Sequence, residues 1–157
     1  MFRSRITLAL CGLVAVALAI PALSVAGNNT TELEAKLKGQ NEVPGPGAQK
    51  GKGEIHVFVK PTQSKLCFNF EVSKLDPITA GHIHKGDTET AGPVKVTLFE
   101  DQQGLEGTGN YEGCVKKLKA KLLKKIAKAP EKFYVNLHTL DYPDGAIRGQ
   151  LELTNPV

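Results

Sequence analysis

The sequence predicts an all-β domain with one short helix, built as a sandwich or barrel. Three observations carry this. Segments in which apolar and polar residues alternate recur along the chain, with turn residues between them. A single stretch, from Val115 to Ala129, shows helical spacing instead. The chain behind its N-terminal leader is the size of one ordinary domain and large enough to bury a proper core.

The leader comes first. Met1-Phe2-Arg3-Ser4-Arg5 is basic, an apolar run follows from Ile6 to about Leu23, and Ser24-Val25-Ala26 has the small-x-small pattern of a signal-peptidase site. The run approaches spanning length, but Pro21 and the small residues beside it favour cleavage over a retained anchor. Residues 1–26 are therefore expected to be a signal peptide cleaved after Ala26, and residues 27–157 one secreted or periplasmic domain. Asn28-Asn29-Thr30-Thr31 holds two overlapping N-glycosylation sequons, relevant to a eukaryotic source.

The first strand is expected over Thr31–Leu37, where Leu33, Ala35 and Leu37 alternate with charged residues. Gly39 to Lys50 is rich in Gly and Pro and reads as a long loop. Glu54–Lys60 and Leu66–Val72 alternate again, and shorter strands are expected at Ala80–His84, Val94–Phe99 and Thr108–Gly113. The helix follows, with Val115, Leu118, Leu122, Ile126 and Ala129 along one stripe and Pro130 ending it. Phe133–Thr139 and Ala146–Leu153 complete the series, joined by a tight turn at Tyr142-Pro143-Asp144-Gly145.

Charge and cysteines narrow the function. Loss of Arg3 and Arg5 with the leader lowers the formal net charge from +4 by two, to +2. A near-neutral exported domain gives no reason to expect nucleic-acid binding. Arg148 is the one arginine left, which argues against phosphate or carboxylate clamps on a ligand. The outer face of the helix, Lys116 to Lys128, is lysine-rich, and it lacks the aromatic anchors of a membrane-surface helix; a solvated face over a core stripe is expected, without membrane contact. Cys67 and Cys114 remain after cleavage, and in an oxidising compartment such a pair is expected to form a disulfide rather than a pair of metal-binding thiolates.

Three of the four histidines lie in two short segments, His82 and His84 in Gly81-His82-Ile83-His84-Lys85-Gly86 and His138 in Asn136-Leu137-His138-Thr139. His82 and His84 share a strand face, and two imidazoles joined by a third from another strand suit copper or zinc. Asp141, Asp144 or a water would supply a further ligand. A structural reading stands beside this one: His82 and His84 donate to loop carbonyls, while Asn136 and His138 tie down the Asp141–Gly145 turn. Arg148 is a candidate buried ion-pair partner of Glu42, Asp141 or Asp144.

Several motifs together resemble one family. Leu37-Lys38-Gly39-Gln40-Asn41-Glu42-Val43-Pro44, Leu66-Cys67-Phe68-Asn69-Phe70-Glu71-Val72, Ala80-Gly81-His82-Ile83-His84-Lys85-Gly86 with Gly92-Pro93-Val94, Tyr134-Val135-Asn136-Leu137-His138-Thr139, and Tyr142-Pro143-Asp144-Gly145-Ala146-Ile147-Arg148-Gly149-Gln150-Leu151 resemble the signatures of CHRD domains, in order. The resemblance implies an extracytoplasmic immunoglobulin-like Greek-key β-sandwich of the standalone exported microbial type. The other modules of chordin are not in this sequence, so growth-factor antagonism does not carry over. The expected function is a non-catalytic binding module for an extracellular partner or a metal ion, with possible copper or zinc at the histidines. The alternatives are a structural or adhesive module and, last, an enzyme like copper-dependent superoxide dismutase. That enzyme needs four histidines at its copper. Here no histidine lies between His84 and His138, and the spare one, His56, lies on an earlier strand.

Overall fold

The computed structural model describes residues 29–154. The leader, its cleavage site and Asn28 lie outside the described residues. Within them, no helix is long and apolar enough to cross a membrane.

Alternation translates directly into strands over the first half. β1 (Thr31–Lys38), β2 (Lys52–Lys60) and β3 (Lys65–Ser73) form an antiparallel meander. Leu33, Ala35 and Leu37, then Ile55, Val57 and Val59, then Leu66, Phe68, Phe70 and Val72 are all buried on one side. β4 (Ile78–Lys85) and β5 (Val94–Leu105) form a bulged pair, and β6 (Gly109–Val115) returns to lie against β3. β7 (Phe133–Thr139) pairs with β4 and with β8 (Ile147–Gln150), while β9 (Glu152–Leu153) pairs with β1.

The ladders link all nine strands into one sheet in the order β5-β4-β7-β8-β1-β2-β3-β6, with β9 beside β1. Its two ends are β5 and β6, consecutive in the chain, so the sheet curls until it nearly closes on itself. Phe99 of β5 stacks on Phe70 of β3, ring centroids 5.5 Å apart, so side chains of the two halves meet across the interior. Gly81 makes room for it: a Cβ there would stand 2.5 Å from the Phe99 ring.

Three expected elements differ. The strand expected over Ala146–Leu153 is two strands, because the chain leaves β7 after Gln150 and takes β1 as its new partner. Its crossing is tight at Gly149, where a Cβ would sit 2.3 Å from the Lys36 carbonyl oxygen. β5 runs on past Phe99 to Leu105. The helix, α1 (Ala120–Lys128), is shorter than the stripe implied. Val115 ends β6 opposite Leu66, and Leu118 precedes the helix, its N–H donating to Ser64 O at 3.0 Å. Leu123 and Ile126 are the buried helical side chains, with Leu118 and Leu122 half-buried beside them.

Cys67 and Cys114 face each other directly across the β3–β6 ladder and are joined as a disulfide. It ties β3 to the strand that leads into α1, the pairing expected from the sequence.

Candidate metal centre

β4 and β7 lie side by side, which brings the two histidine segments together. The register sets His82 opposite Asn136, His84 opposite Tyr134 and Ala80 opposite His138. Partners across a ladder share a face, so all three histidines stand on the outer side of this half of the sheet. The alternate residues, Ile83, Val135 and Leu137, are fully buried in the core. Each histidine offers a ring nitrogen, and the three nitrogens lie within 4.8 Å of one another.

The hydrogen bonds fix where protons sit. His84 Nδ1 donates to the Gly92 carbonyl at 2.7 Å, and His138 Nδ1 donates to the Pro143 carbonyl at 2.8 Å. A carbonyl accepts only, so the Nε2 atom of each neutral ring carries a lone pair. His138 Nε2 meets His82 Nδ1 at 2.9 Å, a pair that needs the proton on His82. His84 Nε2 is buried and has no partner, and neither has the buried Asn136 Oδ1 beside it.

All three rings resist protonation. Burial pushes His82 down to about 4, helped by His138 and His84. Burial also lowers His84, against the Gly92 carbonyl and the Asn136 amide, which favour the charged ring. His138 is lowered by burial too, with the Pro143 carbonyl and the Asp144 charge opposing. Neutral imidazoles with fixed tautomers and carbonyl-bound Nδ1–H groups are the state in which histidine ligates a transition metal.

A braced loop holds the inner wall. The His84 ring stacks on Tyr134, centroids 4.8 Å apart, and the Arg148 guanidinium carbon lies 3.4 Å from the Tyr134 ring centre. Arg148 Nη2 donates to the carbonyls of Asp87 and, at 3.0 Å, Thr90. The Gly92 N–H donates to the Tyr134 hydroxyl at 3.1 Å, and Gln150 Nε2 donates to the Gly86 carbonyl at 2.8 Å. These bonds clamp residues 86–92 onto the sheet and so deliver the Gly92 carbonyl to His84. The outer side is open: His82 and His138 border a hollow of about 490 Å³ whose rim carries Glu100 and Asp101.

The other expected residues fall in different places. Arg148 and Glu42 are both buried, but among the described residues no carboxylate comes within ion-pair distance of Arg148; its Nη2 donates to backbone carbonyls instead. Burial raises the Glu42 carboxyl to about 7, against the Arg148 charge and the Val43 N–H. Glu42 packs on Gly145, and a Cβ there would stand 2.5 Å from the carboxyl carbon. Asp141 and Asp144 are exposed in the turn before β8 and are not part of the three-histidine group. That turn closes with Gly145 N–H to Tyr142 O at 3.2 Å.

Some of the surroundings escape sequence reasoning. Gly92 and Pro143 act through backbone carbonyls, which leave no side-chain signal. A second group, Glu34, Glu54 and His56, gathers on the outer face of β1 and β2, with His56 Nε2 3.4 Å from Glu54 Oε1. The shared exposed phase of Glu34 and Glu54 on neighbouring strands is the signal that points to it. His56 is thereby occupied elsewhere and is not a fourth imidazole for the first group.

Compared with known proteins, residues 33–151 match the model of one family, described as the CHRD domain. No curated protein and no solved structure matches the chain.

Proposed function

This chain belongs to the CHRD domain family, and from that premise we propose that it is an exported, non-catalytic binding module that holds one copper or zinc ion between His82, His84 and His138. The observation that carries the reading is the buried, unpartnered lone pair of His84 Nε2 in a group whose three ring nitrogens lie within 4.8 Å of one another. An orphaned buried acceptor costs about 1–3 kcal/mol, a cost that a cation at His84 Nε2 would remove. A proton there is disfavoured, because burial lowers the His84 pKa. A metal ion fits the closer pair with little movement. Two nitrogens at about 2.0–2.1 Å from one tetrahedral ion are about 3.3 Å apart, so the His82–His138 pair would open by a few tenths of an ångström from its 2.9 Å. The proton between them would pass to His82 Nε2. When bound, the ion would supply a Lewis-acid centre facing the open hollow.

A second reading has its own support. The 2.9 Å bond between His82 and His138 joins the facing nitrogens of the two rings without an ion, as a purely structural cluster would require. Calorimetric titration of the metal-free mature protein with copper and with zinc separates the two. One ion per chain, lost in His84→Ala with the circular-dichroism spectrum unchanged, supports the metal reading. Equally weak binding by wild type and variant leaves the structural one. Dismutation by copper is the least supported activity, since the fourth imidazole it requires is not in the group.

For the fold, the immunoglobulin-like Greek-key sandwich is our finer reading. It is supported by the thin join between β8 and β1, a single register pair, which lets the four strands on one side and the five on the other act as layers.

A further inference from the structure

A second concave surface lies where α1 and the turn after it meet β4 and β5. Two adjoining hollows of about 610 and 670 Å³ share Lys85, Lys95 and Lys132. The first adds Lys125 and Lys128 over a floor of Leu122, Ala129 and Phe133, and no carboxylate lines it. The second runs along residues 86–93, the loop clamped by Arg148. All five lysines are exposed, and among the described residues none is in an ion pair. The carboxylate in the second hollow, Asp87, already accepts the Glu89 N–H at 3.1 Å.

A solvated helix face would spread its lysines over a convex surface. Here five ammonium groups from three separate segments border one continuous trough. Their mutual repulsion is relieved by an anion, and a trough made of two joined hollows suits a chain-like anion better than a single small one. The residue types narrow the class. Lysine is a point charge without the planar fork that clamps a single phosphate or carboxylate in two bonds, so it suits charges repeated along a chain, and Phe133 is too buried to stack a base. A membrane surface cannot follow a concave trough, and α1 lacks aromatic anchors. We propose that this lysine-lined trough binds a linear acidic polysaccharide, with carboxylates or sulfates along the chain meeting the five ammonium groups in turn.

Fluorescence anisotropy of labelled polygalacturonate with the full mature protein tests this. The Lys95→Glu/Lys128→Glu pair should weaken binding at least about tenfold, while Lys50→Glu/Lys52→Glu, an equal change of net charge outside the trough, should stay within about twofold. If the first pair melts early, Lys95→Gln/Lys128→Gln takes its place against Lys50→Gln/Lys52→Gln, with a loss of about threefold expected in the trough pair. Equal losses in trough and control pairs would show attraction to net charge alone and overturn the proposal. So would no binding by wild type at low salt, or tighter binding to phosphatidylglycerol vesicles than to the polysaccharide.

Discussion

Acid should act on this domain through two opposed groups, and replacing Glu42 by Gln should uncouple them. A group protonated in one state and not the other tilts stability by up to about 1.4 kcal/mol per pH unit. Glu42 has its folded pKa raised from 4.5 to about 7. Between those values the folded chain holds a proton that the unfolded chain lacks, so acidification stabilises, by a gross total of about 3 kcal/mol. His82 has its folded pKa lowered from 6.5 to about 4. Between those values the unfolded chain holds the extra proton, so acidification destabilises. The gross figure is again about 3 kcal/mol, and solvent access to the ring reduces it to roughly half. His84 and His138 are lowered too and act in the same sense as His82. The metal-free wild type should therefore hold its stability to within about 1 kcal/mol from pH 7 to pH 5, whereas Glu42→Gln should lose at least about 1 kcal/mol over the same interval, the discounted share of His82 alone. Below the ordinary glutamate range both should fall together. Urea unfolding followed by circular dichroism, with chelator present, gives the two curves. Parallel curves between pH 5 and pH 7 would refute the opposition of Glu42 and the histidines.

Two further outcomes test the frame around the site. The Cys67→Ser/Cys114→Ser variant should lose about 4 kcal/mol in urea unfolding, the chain-entropy value for a sequence separation of 47, and a loss below about 1 kcal/mol would show that the bond does not stabilise the domain in this way. Gly145→Ala should cost about 2–5 kcal/mol in thermal unfolding, since the new Cβ adopts φ +144° and meets the buried Glu42 carboxyl; an unchanged melting temperature would mean the turn has another conformation in solution.

The sequence was informative where a side chain's phase alone decides its fate. Leu33, Ala35 and Leu37 alternate because one face of β1 is core, and the same reasoning read β2 and β3 directly. It was less so where two periods coincide. Val115 fits a helical stripe with Leu118 and Leu122, yet β6 claims it because Leu66 lies opposite, and Leu123 escaped notice for the same reason. The shared face of His82 and His84 was legible from their spacing. Their meeting with His138 was not, because it depends on β4 choosing β7 as a neighbour across some fifty residues of chain, with His82 and His138 56 apart. Arg148 was recognisable as a buried cation, but its partners are carbonyls of a loop that carries no charge pattern to announce them.

The position of β1 bears on how such a chain reaches its folded state. One edge of β1 is covered by β2, which follows almost at once, and the other by β8 and β9, from the far end of the domain. A nascent chain emerges over many seconds, and until Ile147–Leu153 arrive that second edge is bare. Bare edges pair with other chains. Contacts that span most of the domain also close slowly, because the loop between them must be ordered first. The strand order therefore favours release of the whole polypeptide before it condenses, and it makes the last strand to appear the one that turns an aggregation-prone meander into a sealed domain.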